Sequence, residues 1–168
     1  MSGRSEEVDS VMAISVYLSN LEETVPLFHS LFALFERTFS DATSLHWWIN
    51  NEAEAFMPSV NNLRDFVNLE KLVVGKDCLV KLLFPFLQHA NSVLLPTIKF
   101  LHFNSVTFQD GDTIHRVADF LQWRREQGFP VQKIVIFGGK VNRKYVLTHI
   151  QDTVVEMDGS DTEEEDNN

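Results

Sequence analysis

Three short segments carry one pattern at matched spacing: "LEKLVV" at 69–74, "IKFLHF" at 98–103 and "VQKIVI" at 131–136. Each reads apolar, two variable, apolar, one variable, apolar. Leu69, Leu72 and Val74 fill the apolar positions of the first, Ile98, Leu101 and Phe103 those of the second, and Val131, Ile134 and Ile136 those of the third. The starts lie 29 and 33 residues apart. Successive side chains of a strand point to opposite faces, so the variable positions face away from Leu72, Val74 and their counterparts. A helix-length stretch lies between each pair of segments. Strands alternating with helices imply a parallel sheet with right-handed crossovers.

Other elements fit this rhythm. "VMAISVYL" at 11–18 and "SLHWWIN" at 44–50 read as strands, and a helix is predicted over 24–39, with Thr24 as N-cap and Pro26 in its first turn. Residues 51–66 read as loop with a short helix. Asp77 is placed to cap "CLVKLLFPFLQHA", which Pro85 is expected to interrupt or kink. "NRKYVLTHI" predicts a short helix and "TVVEM" at 153–157 a last strand. Trp47 and Trp48 are adjacent, so in a strand one faces in and one out.

The three-segment pattern resembles the strand signature of leucine-rich repeats, whose usual period is about 20 to 29 residues. One such unit cannot bury its faces, but stacked units form a continuous core. The expected fold is α/β: a short leucine-rich-repeat-like solenoid of parallel strands with helices on one face, over 11–157. A flexible leader (1–10) and a disordered acidic tail (158–168) flank it. A small layered α/β sheet is the structural rival. On the solenoid, the variable positions Lys71, Val73, Phe100, His102, Lys133 and Val135 line the open, concave face. They make a mixed apolar and basic surface for a protein partner.

Charge narrows the partners. The net charge is -10, and Glu156, Asp158, Asp161, Glu163, Glu164, Glu165 and Asp166 crowd the C-terminal end with no Lys or Arg among them. The body is nearly neutral. Without a basic stripe, nucleic acid is not an expected partner. Cys78 is the single cysteine, so an intrachain disulfide is impossible, and its apolar run suits a small buried hydrophobe. No apolar stretch is long enough to span a bilayer, and "MSGRSEEVDS" is acidic where a signal peptide is basic. A cytoplasmic or nuclear location is expected. Ser160 and Thr162 precede Glu163 and Glu165 at the third position, a context acid-directed kinases favour.

Candidate catalytic groups have simpler readings. Asp110, Asp112 and His115 precede Ile114, Val117, Ala118 and Leu121, which recur at helical spacing. Asp112 or Thr113 then serves as N-cap, Gly111 as part of the turn, and Gly128 with Pro130 ends the helix. The six histidines stand singly, with no recognised metal-ligand spacing. "FGGK" at 137–140 fails the phosphate-loop pattern, so Gly138 and Gly139 read as a turn. No catalytic, metal or cofactor residue is assigned. A small α/β enzyme, with Asp77, Asp110 and His115 at strand C-terminal ends, is the alternative. A degenerate fragment without selected function is another.

From about Leu63 to Met157 the chain resembles the C-terminal leucine-rich-repeat-like region of F-box proteins of mushroom-forming fungi. The resemblance rests on "LEKLVV", on "PTIKFLHFNSVTFQDGDTIHRVADFLQWRREQGFPVQKIVI" and on "DTVVEMDG". It implies a substrate adaptor: the F-box binds the Skp1 subunit of a cullin ubiquitin ligase, and the repeats hold a target. This chain passes from "MSGRSEEVDS" straight into strand-like sequence, and no F-box is read in it. Skp1 and cullin are therefore expected partners only of a longer product. The expected role is a non-enzymatic protein-interaction module.

Overall fold

The computed structural model describes residues 11–16, 41–49, 63–90, 92–109 and 111–158. The leader, the helix predicted over 24–39, Asp110, Ser160, Thr162 and the tail beyond Asp158 lie outside the described residues, as do the side chains of Trp48 and Cys78.

Six strands form one parallel sheet: β1 (Val11–Val16), β2 (Ser44–Ile49), β3 (Lys71–Gly75), β4 (Phe100–Asn104), β5 (Lys133–Phe137) and β6 (Val154–Asp158). Their spatial order is their chain order. Helices α1 (Asp77–His89), α2 (Gly111–Glu126) and α3 (Arg143–His149) follow β3, β4 and β5 in turn. The class is α/β with an all-parallel sheet.

Alternation along each strand builds the core. All nine apolar positions of the repeated pattern are buried. Leu72 pairs with Leu101 and Leu101 with Ile134, while Val74, Phe103 and Ile136 form a second row. The helices pack on this face. Phe84 of α1 stacks on Phe120 of α2 with ring centroids 4.3 Å apart and meets Phe103 of β4 edge-on at 6.0 Å. Both are favourable aromatic geometries. Ala42, Leu45 and Trp47 repeat the pattern on β2 and are buried as well.

The backbone links between neighbouring strands also recur. At the N-terminal ends of the strands, Glu70 and Lys71 donate N–H to Thr43 O, Lys99 and Phe100 to Glu70 O, and Gln132 and Lys133 to Lys99 O. At the C-terminal ends, Lys76, Ser105 and Gly138 each donate to the last carbonyl of the next strand. All three have positive φ (72°, 57° and 66°). Positive φ is uncommon outside glycine, and it returns at three equivalent positions together with the same backbone hydrogen bond. Gly139 is needed for another reason: a Cβ there would lie 2.3 Å from Val106 O.

Several local expectations are corrected. Helix α2 begins at Gly111, which places Asp112 and Thr113 inside its first turn rather than at the cap. Asp112 accepts from Arg116 Nε at 3.0 Å and pairs with Lys81 at 3.6 Å. Asp77 does not cap α1; its Oδ1 accepts from Thr107 N–H at 2.6 Å, tying α1 to the connection after β4. Pro85 does not interrupt α1, which runs unbroken from Asp77 to His89. Gly128 does end α2, at φ 84°. Gly128 N–H bonds Arg125 O and Phe129 N–H bonds Arg124 O, the paired bonds of a Schellman cap.

Arg124 is the one buried charge among the described residues. Its Nε donates to Phe129 O at 2.9 Å. Its Nη1 donates to Leu94 O and Leu95 O, and its Nη2 to Pro96 O and Ile98 O. One guanidinium therefore binds the end of α2 to the loop that delivers β4. Burial lowers its pKa to about 10, so the group remains charged near neutral pH. Arg124→Met is expected to cost about 3–5 kcal/mol, because it strips donors from buried carbonyls. Arg124→Lys should recover only part of this, since an ammonium lacks the five-donor fork. Denaturant unfolding with an unchanged m-value checks both variants.

Candidate functional site

The candidate site is the sheet face opposite the helices. Parallel register lines its residues up in rows. Ser44, Lys71, Phe100, Lys133 and Val154 form the first row. His46, Val73, His102, Val135 and Glu156 form the second. Gly75, Asn104, Phe137 and Asp158 continue a third. Among the described residues, no helix packs on this face. The six candidates Lys71, Val73, Phe100, His102, Lys133 and Val135 all lie here, half-buried between their neighbours.

Charge is unequal across the face. At the β5–β6 side, Lys133 Nζ meets Glu156 Oε1 at 2.7 Å. The central strands carry Lys71, His46 and His102, and Glu156 is the only carboxylate in the first two rows. Burial pulls the His46 pKa below its usual 6.5, and Lys71 lowers it further. His102 is lowered first by burial, then by Lys71, Lys133 and His46, with Glu156 opposing. Both imidazoles are therefore neutral near pH 7. On β2, Ser44 Oγ and His46 Nε2 are buried and have no hydrogen-bond partner among the described residues.

The groups weighed as catalytic lie elsewhere. Asp77 is engaged by Thr107. His115 sits between α2 and α3, its ring 5.1 Å from His149 and 6.3 Å from Tyr145 by centroid. His149 Nδ1 lies 2.8 Å from Tyr145 O, an N–H donor to that carbonyl. Among the described residues, no three His, Cys, Asp or Glu side chains gather in a way that would hold a metal ion. No described helix is long and apolar enough to cross a membrane.

The repeated pattern picks out two positions on each of three strands and leaves out the rest of the surface. Asn104 and Phe137 extend it by one alternation step. His46 is found by aligning Ala42, Leu45 and Trp47 with the repeated pattern, a match hidden because alanine is a weak apolar signal. Glu156 follows from pairing "TVVEM" with β5. No family model, curated protein or solved structure matches the chain.

The histidine shifts have a measurable consequence. The folded protein holds these two protons less tightly than the unfolded chain, so below about pH 6.5 the unfolded state binds more protons. Stability is then fully present above that pH and falls as pH drops. Thermal melts should show Tm decreasing between about pH 7.5 and about pH 5.5. The double variant His46→Gln, His102→Gln is expected to flatten that slope, and Lys71→Met to reduce it.

Proposed function

We propose that this chain is a non-enzymatic protein-interaction module. In this reading it is a short leucine-rich-repeat-like array whose open sheet face holds a protein partner. The observation that carries the reading is the second surface of the sheet. Parallel sheets are normally covered on both faces, and their strands then read as near-continuous apolar runs. Here Lys, His and Asn alternate with the core residues, so this surface is composed for water or a partner. The sequential strand order, and the positive φ and equivalent hydrogen bond shared by Lys76, Ser105 and Gly138, support a repeat array. Through its sequence resemblance, the module corresponds to the target-holding part of an F-box adaptor of a cullin ubiquitin ligase.

Phe100, Val73 and Val135 supply the apolar centre of the face, and a partner that buries them gains most of its affinity there. The test is affinity purification of the tagged full chain from its own cells, followed by mass spectrometry. A protein partner is expected that is lost with the neutral double variant Phe100→Gln, Val135→Gln and kept with Gln122→Ala on exposed α2 surface. Loss of at least tenfold in recovered affinity, about 1.4 kcal/mol, is the expected effect. Equal recovery by both variants, or recovery of chaperones alone, would overturn the reading. Skp1 and a cullin recovered with the partner would place the module in a ligase.

A further inference from the structure

We propose that the partner held on this face presents an extended acidic segment, with carboxylates placed over Lys71 and its apolar side chains over Phe100, Val73 and Val135. The inference rests on the interaction reading above and goes beyond it by fixing the chemistry of the partner.

Three observations carry it. First, the face already shows which group completes it. At Lys133 the strand beside it supplies Glu156, paired at 2.7 Å. Lys71 lies two strands away in the same row, about 10 Å from Lys133 at the usual strand spacing, and no described carboxylate faces it. Second, the charges around Lys71 all have one sign or none. Its diagonal neighbours across the ladder are His46 on β2 and His102 on β4. A carboxylate there would pair with Lys71 and stand beside the His102 imidazole. Third, Lys71 and Lys133 flank Phe100 in a single row, and Val73, His102 and Val135 stand one step further along the strands. A segment lying across the strands therefore meets the Lys71 cation, the Phe100 ring and then the Lys133–Glu156 pair. The match is to acidic and apolar side chains at every second residue, on one side of an extended segment, not to a uniformly charged polymer. A cation-bearing partner would face Lys71 directly, and like charges disfavour wrong partners.

The test uses the full chain, isotope-labelled for NMR, and two synthetic probe peptides of ten residues. In one, Asp and Val take turns at every second residue with Ser between them, so that an extended chain presents both on one side (the Asp-Val peptide); in the other, Lys replaces Asp (the Lys-Val peptide). The Asp-Val peptide is expected to shift amide signals of β3, β4 and β5 at least tenfold more strongly than the Lys-Val peptide at equal concentration. The effect should shrink with added salt, and the His46 and His102 ring signals should titrate at higher pH when the Asp-Val peptide is bound. Lys71→Glu should invert the preference between the peptides while leaving Tm within a few degrees of the parent. Equal shifts from both peptides, or shifts confined to the helices, would overturn the acidic assignment. If the Phe100→Gln, Val135→Gln variant still loses its cellular partner in that case, the interaction reading stands and only the partner chemistry falls. Asp-Val binding seen only after Glu163, Glu164 and Glu165 are replaced by Gln would assign the face to the chain's own C-terminal segment. That result would overturn an intermolecular partner.

Discussion

The packing of this chain turns on a cation with no carboxylate beside it. Arg124 is fully buried and spends its donors on five main-chain carbonyls. Desolvating a guanidinium is costly, and without those acceptors the cost would far exceed what the side chain returns in packing. With them, one residue completes the hydrogen bonding of a loop that has no partner strand of its own. That loop contains Leu95 at φ 52° and leads straight into β4. The register of β4 sets where Phe100 and His102 stand on the open face. A helix-end arginine thus anchors the loop leading into the strand that carries Phe100 and His102.

That surface depends on a second constraint, the two-residue period of the strands. Sliding β4 by one residue would carry Leu101 and Phe103 out to solvent and bring His102 into the aromatic cluster of Phe84 and Phe120. The core would then hold an imidazole where an edge-to-face ring contact stands now. The face and the core are therefore specified together: whatever keeps Phe103 against Phe84 also keeps His102 beside Lys71.

Much of this was legible in the sequence because a period of two is a strong signal. The repeated apolar pattern located β3, β4 and β5 and divided their residues between the two faces, and "SLHWWIN" and "TVVEM" located β2 and β6. The helix ending at Gly128 was equally plain. Three things were not. Arg124 sits in "RREQG" beside Arg125, and nothing local separates a guanidinium that caps five carbonyls from one that pairs with Asp152 at the surface. Asp77 looked like an N-cap because that is the common use of aspartate at a helix start, yet a backbone N–H thirty residues away holds it. The pairing of Lys133 with Glu156 needed the β5–β6 register, which is a property of the sheet and not of either segment.

The face itself is electrostatically lopsided. At its β6 side a lysine is satisfied within the chain; in the middle Lys71 stands between two histidines that it helps to keep neutral. In such an arrangement a carboxylate over Lys71 is attracted by a cation that no described carboxylate faces. Part of the effect is protonic, because a carboxylate near Lys71 would also raise the affinity of His46 and His102 for protons. Binding and proton uptake are then linked, and a partner of this chemistry binds more tightly as pH falls toward the histidine range. The same histidines destabilise the free protein in that range.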